Sequence, residues 1–150
     1  MIWGGISLRT KSQMVFIDGN LNNTCYIDEI LEPVVHPMAE AAGDDFILTD
    51  DNARPHRAHA VNDYLHAEGI QRMDPWPACS PDLNPIEHLW DEMGRTVNDQ
   101  LTRGDTLNDL RRYLQAAWDE IPQEKITRLV RSMRRRCLAC IASNGGHTRY

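Results

Sequence analysis

At 150 residues, with 41% hydrophobic and 25% charged side chains, the chain has the size and composition of one soluble globular domain. A net charge of −6 argues against a simple nucleic-acid-binding module, and no apolar run approaches the length of a membrane span. The first residues carry no basic-then-apolar export signal, so Cys25, Cys79, Cys137 and Cys140 read as reduced thiols of a protein that is not secreted.

Residues 2–8 and 13–17 read as two short strands joined by a polar turn around Arg9-Thr10-Lys11. Asn22, Asn23 or Thr24 then caps a helix with apolar positions Ile27, Ile30, Leu31, Val34 and Met38. Pro33 and Pro37 predict a kink or an early end, and Gly43 a stop. Phe46-Ile47-Leu48 reads as a buried strand that delivers the acids of Thr49-Asp50-Asp51-Asn52 at its carboxyl end, where open α/β sheets place their sites.

Pro55 suits the first turn of the next helix, which turns Ala58, Val61, Tyr64 and Leu65 inward and ends near Gly69. Residues 70–73 form a brief strand. Pro75, Pro77, Pro81 and Pro85 then make residues 74–85 an ordered loop. A helix opened by Asn84-Pro85-Ile86-Glu87 carries the stripe Ile86, Leu89, Trp90, Met93 and Val97, and a second carries Leu107, Leu110, Leu114, Ala117, Trp118 and Ile121. After Pro122, the positions Ile126, Leu129, Val130, Met133, Cys137, Cys140 and Ile141 form one apolar stripe. Cys137 and Cys140 have the spacing of half a zinc site, but no second pair stands near, so both thiols are expected to face a core. Strands first and helices later predict an α/β domain with a mixed sheet.

Charge is unevenly spread. Residues 125–150 hold seven basic residues and no acid, which leaves nine basic against 22 acidic residues in 1–124, a balance of −13 against +7. An acidic body with a basic tail suits a protein that gathers metal ions in one place and phosphates in another. In the tail, Arg128, Arg131, Arg134, Arg135 and Arg136 are the candidate DNA-contacting residues, with a solvated helix face as the plainer alternative.

Two acids stand out by position: Asp51 at a strand end, and Glu87 in the first turn of a helix behind a rigid loop. Phosphodiester chemistry needs carboxylates from separate elements converging on hard cations, often two Mg²⁺ roughly 3.5–4 Å apart. By spacing alone, Asn84 and Glu87 equally fit a helix capping box. His56 and His59 have helical metal-ligand spacing, but such a pair more often caps or packs, and His56 is better read as steadying the loop beside Asp51.

Trp3-Gly4-Gly5-Ile6-Ser7, Asp51-Asn52-Ala53-Arg54-Pro55-His56 and the long stretch from Trp76 to Trp90, with Ser80-Pro81-Asp82-Leu83-Asn84-Pro85-Ile86-Glu87 at its centre, resemble the Tc/mariner superfamily of DDE transposases. The ending Gly145-Gly146-His147-Thr148-Arg149-Tyr150 is similar to a common ending of the same proteins. The resemblance implies an RNase H-like mixed sheet with flanking helices, and an enzyme that cuts transposon DNA and joins it to target DNA at TA dinucleotides. It implies Mg²⁺ as cofactor, with Mn²⁺ as a substitute, and DNA and a second copy of the chain as partners, with no membrane. It makes Asp51, not Asp50, the second catalytic and metal-ligating aspartate, and Glu87 the final acid. The compartment would be the nucleus of a eukaryote or the cytoplasm of a bacterium.

Two departures carry expectations. The 35 residues between Asp51 and Glu87 are one more than the commonest family spacing, with Pro75 as the insertion. The family's first aspartate lies on a central strand ahead of the Trp-Gly-Gly segment, where this sequence begins, and neither Asp18 nor Asp28 matches it. The chain is therefore expected to be an N-terminally truncated catalytic domain, inactive alone: a hairpin over 1–20, a catalytic core over 21–98, and C-terminal helices with a basic tail over 99–150. The hairpin is expected to be weakly held. The alternative is an inactive remnant, or a fragment repurposed for DNA binding or interaction.

Overall fold

The computed structural model describes every residue except Cys79, His147, Arg149 and Tyr150, so one cysteine, one tail arginine and the end of the terminal motif lie outside the described residues. The chain divides into two compact units, residues 1–4 with 15–79, and residues 5–14 with 80–150.

In the first unit, β1 (Ile2–Trp3) pairs antiparallel with β2 (Val15–Phe16). Asn22 caps α1 (Asn23–Tyr26) by accepting a hydrogen bond from the Cys25 backbone N–H. The helix continues as π-helical turns over Ile27–Val35 and returns to α geometry in α2 (His36–Ala42). Pro33, inside those turns, explains the change, because its ring lacks an N–H and would strike a carbonyl one α-turn back. The expected kink is thus absorbed by widening the helix. Gly43, at φ 69°, ends α2 in a backbone region that side chains disfavour.

The strand expected at 46–48 shrinks to a single parallel bridge between Leu48 and Arg72, and the strand expected at 70–73 shrinks with it. Pro55 does not open a helix. Residues 54–57 form a turn, and α3 (His59–Ala67) starts after an extended Ala58. Ile17, Tyr26, Ile30, Leu31, Val35, Leu48, Val61, Leu65 and Ile70 close over one another as the core of this unit.

The second unit is built on α4 (Ile86–Gln100), α5 (Leu107–Glu120), α6 (Gln123–Arg131) and α7 (Met133–Ala142). Leu89, Met93 and Val97 are buried on α4, and Trp90 stacks on Trp118 of α5 at 5.3 Å between ring centroids. Thr106 and Asp109 form a reciprocal capping box at the start of α5.

The basic stripe does not run as one helix. It breaks at Ser132, which shifts the buried face from Ile126 on α6 to Ser132 and Arg136 around α7. Cys137 is therefore exposed and Ile141 is 71% exposed, contrary to the expected stripe.

The hairpin tip meets the helices of its own unit through side-chain hydrogen bonds. The Lys11 ammonium donates to the carbonyls of Trp118, Asp119 and Ile121 at the end of α5, and the Trp118 indole N–H donates to the Ser12 carbonyl at 2.9 Å. Thr127 donates to the Leu8 carbonyl at 3.0 Å. Lysine suits this place because the last carbonyls of a helix lack partners and carry partial negative charge. Among the described residues, no helix is long and apolar enough to cross a membrane.

Candidate active site

Asp50 and Asp51 follow the Leu48 bridge as sequence neighbours, and their side chains differ sharply in exposure. Asp50 points inward, its side chain 6% exposed, and accepts a hydrogen bond from the Tyr26 hydroxyl at 3.3 Å. Arg57 stands 3.4 Å from its Oδ1, a charge contact whose geometry is not that of a hydrogen bond. Burial raises the Asp50 pKa, opposed by the charges of His56, Arg57 and Arg72. Burial, then the Asp50 charge, also raises the pKa of Tyr26.

Asp51 points outward, its side chain 60% exposed. Its Oδ1 accepts from the Ala53 backbone N–H at 2.9 Å and meets Nδ1 of His56 at 2.7 Å. A carboxylate can only accept, so Nδ1 carries the hydrogen between them, and the buried Nε2 has no hydrogen-bond partner among the described residues. The loop carrying Asp51 is clamped from behind. Arg72 donates to the His56 carbonyl at 2.9 Å and to Asn62 of α3 at 2.6 Å, and Asn52 donates to the Trp76 carbonyl at 2.9 Å.

Glu87 is exposed in the first turn of α4. The capping box that its spacing allowed does not form. Pro85 occupies the cap position, and the Asn84 amide donates to the Glu87 carboxylate at 3.3 Å instead of accepting from the backbone. Asp91, one turn on, is engaged by Arg95. Ahead of Glu87, the residues Pro81–Leu83 form a single 3-10 turn.

Of the tail arginines, Arg128, Arg131, Arg134 and Arg135 are exposed. Arg136 is not: it is 1% exposed, donating to the Asp82 carbonyl at 2.7 Å and to Ser132 Oγ at 2.8 Å. A guanidinium so enclosed cannot reach a phosphate, and Arg136 leaves the set of DNA-contacting candidates. Burial, and then Arg136, lower the pKa of the adjacent His88.

Sequence reasoning missed Tyr26, Arg57 and Arg72, and it set Asp50 aside in favour of Asp51. The alternation of Asp50 and Asp51 was the one available signal that a second acid must be buried there. Among the described residues, no group of three His, Cys, Asp or Glu side chains is placed to hold a metal ion.

Residues 1–111 match the family described as DDE superfamily endonuclease. Over 150 residues the chain is 33% identical to the transposase of transposable element Tc3 of Caenorhabditis elegans, covering 100% of this chain and 45% of that one. Over 151 residues it is 34% identical to the Tcb1 transposase of Caenorhabditis briggsae, covering 100% of this chain and 54% of that one. The chain thus spans about half the length of the curated relatives it matches.

Among solved structures, it is similar to the Mos1 transposase catalytic domain with raltegravir and Mg, with a TM-score of 0.83 at 22% identity over 98% of this chain and 76% of that one. A pre-cleavage Mos1 transpososome matches with a TM-score of 0.82 at 21% identity over 98% of this chain and 44% of that one. The fold is the α/β, RNase H-like arrangement that the sequence led one to expect, rich in helix and with little sheet.

Proposed function

The chain belongs to the DDE superfamily of endonucleases, and from that premise we propose that it is the catalytic-domain part of a DNA transposase in which Asp51 and Glu87 are metal-ligating acids. The observation that carries this reading is the contrast in exposure between the two adjacent aspartates. Asp51 offers a largely exposed carboxylate fixed through one oxygen, whereas Asp50 is enclosed.

Oxygen donors of this kind suit Mg²⁺, with Mn²⁺ as substitute. When bound, the metal supplies a Lewis acid for an attacking and a leaving phosphodiester oxygen. Within the chain, His56 and the Ala53 N–H hold the Asp51 carboxylate in one rotamer. Asn84 restrains Glu87 in the same way. The substrates are transposon ends and a TA target, the chemistry is hydrolysis followed by strand transfer, and the working form is a homodimer. The related transpososome and paired-end structures support these partners.

The 150 residues alone are proposed not to cut DNA, because no three candidate ligands gather among the described residues. The exposed Arg128, Arg131, Arg134 and Arg135 favour a second reading of the isolated chain, as a DNA-contacting piece without chemistry.

Mn²⁺ titration followed by paramagnetic broadening of backbone amide signals tests the ligand assignment. Broadening near residues 51–53 should vanish in Asp51→Asn and persist in Asp50→Asn, and broadening near residues 84–89 should vanish in Glu87→Gln. The opposite pattern at the two aspartates would place the ligand one residue out. Mg²⁺-dependent nicking of duplex DNA, lost in both Asp51→Ala and Glu87→Ala, would overturn the proposed inactivity.

A further inference from the structure

We propose that Arg136 is a positioning residue for Glu87, gripping from α7 the turn that launches α4; this rests on the reading of Glu87 as a metal-ligating acid. The connection runs through five hydrogen bonds. The Glu87 carboxylate accepts from the Asn84 side chain at 3.3 Å, and the Glu87 N–H donates to the Asn84 carbonyl at 3.2 Å. Asn84 is itself set by the 3-10 turn, its N–H donating to the Pro81 carbonyl at 3.0 Å. The middle residue of that turn, Asp82, is held twice from the C-terminal segment. Its carbonyl accepts from Arg136 Nη1 at 2.7 Å, and its carboxylate accepts from the Thr148 hydroxyl at 2.9 Å.

The guanidinium is in turn aimed. Ser132 Oγ, one helical turn earlier, accepts from Arg136 Nε at 2.8 Å, and its own hydroxyl donates to the Leu129 carbonyl at 2.6 Å. Nη2 lies 3.5 Å from both ring nitrogens of His88, the residue after Glu87. One planar side chain therefore contacts the turn before Glu87 and the residue after it.

The turn needs such a hold. A single 3-10 turn has poor hydrogen-bond geometry, and Pro81 and Pro85 contribute no N–H to it. Arginine also suits the place better than lysine, because only a planar fork presents donors in fixed directions to a carbonyl, a hydroxyl and a ring at once. The arginine run thus divides: Arg134 and Arg135 face outward, and Arg136 carries the acid-bearing loop.

The test uses the whole chain and the Mn²⁺ broadening of residues 84–89, with melting temperature recorded alongside. Glu87→Gln should abolish the broadening; if it does not, the reading of Glu87 fails, whatever Arg136 does. Given that loss, Arg136→Lys should raise the Mn²⁺ midpoint about tenfold, in keeping with losses at groups that orient metal ligands. Ser132→Ala, a milder change, should raise it in the same direction while the protein melts cooperatively. Adding Arg136→Lys to Glu87→Gln should cause no further change.

A lowered melting temperature with an unmoved Mn²⁺ midpoint in both Arg136→Lys and Ser132→Ala would reduce Arg136 to a structural residue and overturn the proposal. Should Arg136→Lys fail to fold, Ser132→Ala decides it alone.

Discussion

Nδ1 of His56 stands 2.7 Å from Oδ1 of Asp51, while the same ring lies 4.3 Å from the ring of Tyr26. Tyr26 is wholly buried and donates its hydroxyl to Asp50. One imidazole thus links the exposed acid to the enclosed one through an aromatic contact. His56→Ala should remove both the ring contact and the hold on Asp51, at a cost of about 1–3 kcal/mol in urea unfolding. The amide signals of Ala53 and Asp51 should shift at the same time. Unchanged stability with unchanged amide positions would mean that the loop is set entirely by Arg57 and Arg72.

Asp50 makes a prediction about pH. Its carboxyl pKa is raised in the folded chain above the ordinary 3.8, chiefly by burial. Its contribution to stability is therefore fully present below about pH 3.8 and lost as pH rises through the raised folded value. Asp50→Asn should flatten this part of the urea-midpoint profile, so that the variant gains on the native chain as pH rises above about 3.8. A native profile no steeper than that of the variant would show that Arg57 and Arg72 offset the burial in full.

The helices were legible in the sequence because apolar residues at helical spacing report directly on a buried face. Leu89, Met93 and Val97 on α4 and Trp118 on α5 lie where that spacing put them. Gly43 also stops its helix as expected. The stripe across Ser132 misled, because one break in a helix rotates every later residue, and the rule assumes continuity. That break buried Arg136 and exposed Cys137. The strands at 46–48 and 70–73 were overdrawn, since an apolar run signals burial but leaves open how many ladder bonds a neighbour completes. At the candidate site, the exposed Asp51 and its histidine could be read locally. The support from Tyr26, Arg57 and Arg72 is tertiary, and no spacing rule announces it.

The exposed arginines of α6 and α7 should give weak, sequence-independent DNA binding that falls steeply with salt. Replacing Arg131, Arg134 and Arg135 together by Ala should remove most of the binding. For every phosphate that an arginine no longer neutralises, the slope of log K against log salt should become shallower by about 0.9. Arg136→Lys, as a folded protein, should leave the slope as it was. A triple variant that binds with native affinity and slope would make this face merely solvated.

The hairpin tip supplies the last prediction. Within residues 5–14, the Ser7 N–H donates to the Thr10 carbonyl at 2.8 Å and the Ser12 N–H to the Gly5 carbonyl at 2.8 Å. Alone, a pair of strands this short is marginal. Here Lys11 completes three carbonyls at the end of α5, so local opening of the tip must also uncover that helix end. Burial lowers the pKa of the Lys11 ammonium, countered by the charge of Asp119, so the contact carries a desolvation cost. Lys11→Met keeps most of the apolar stem and removes every side-chain donor; it should cost about 1.5–3 kcal/mol, the range for hydrogen bonds to a charged group. In hydrogen exchange, the amides of Ser7 and Ser12 should be protected in the native chain and exchange faster in Lys11→Met, whereas amides in the middle of α4 should change little. Fast exchange at Ser7 and Ser12 in the native chain, or equal protection in both proteins, would mean that the lysine does not hold the tip and that the hairpin is as loosely attached as its length alone suggests.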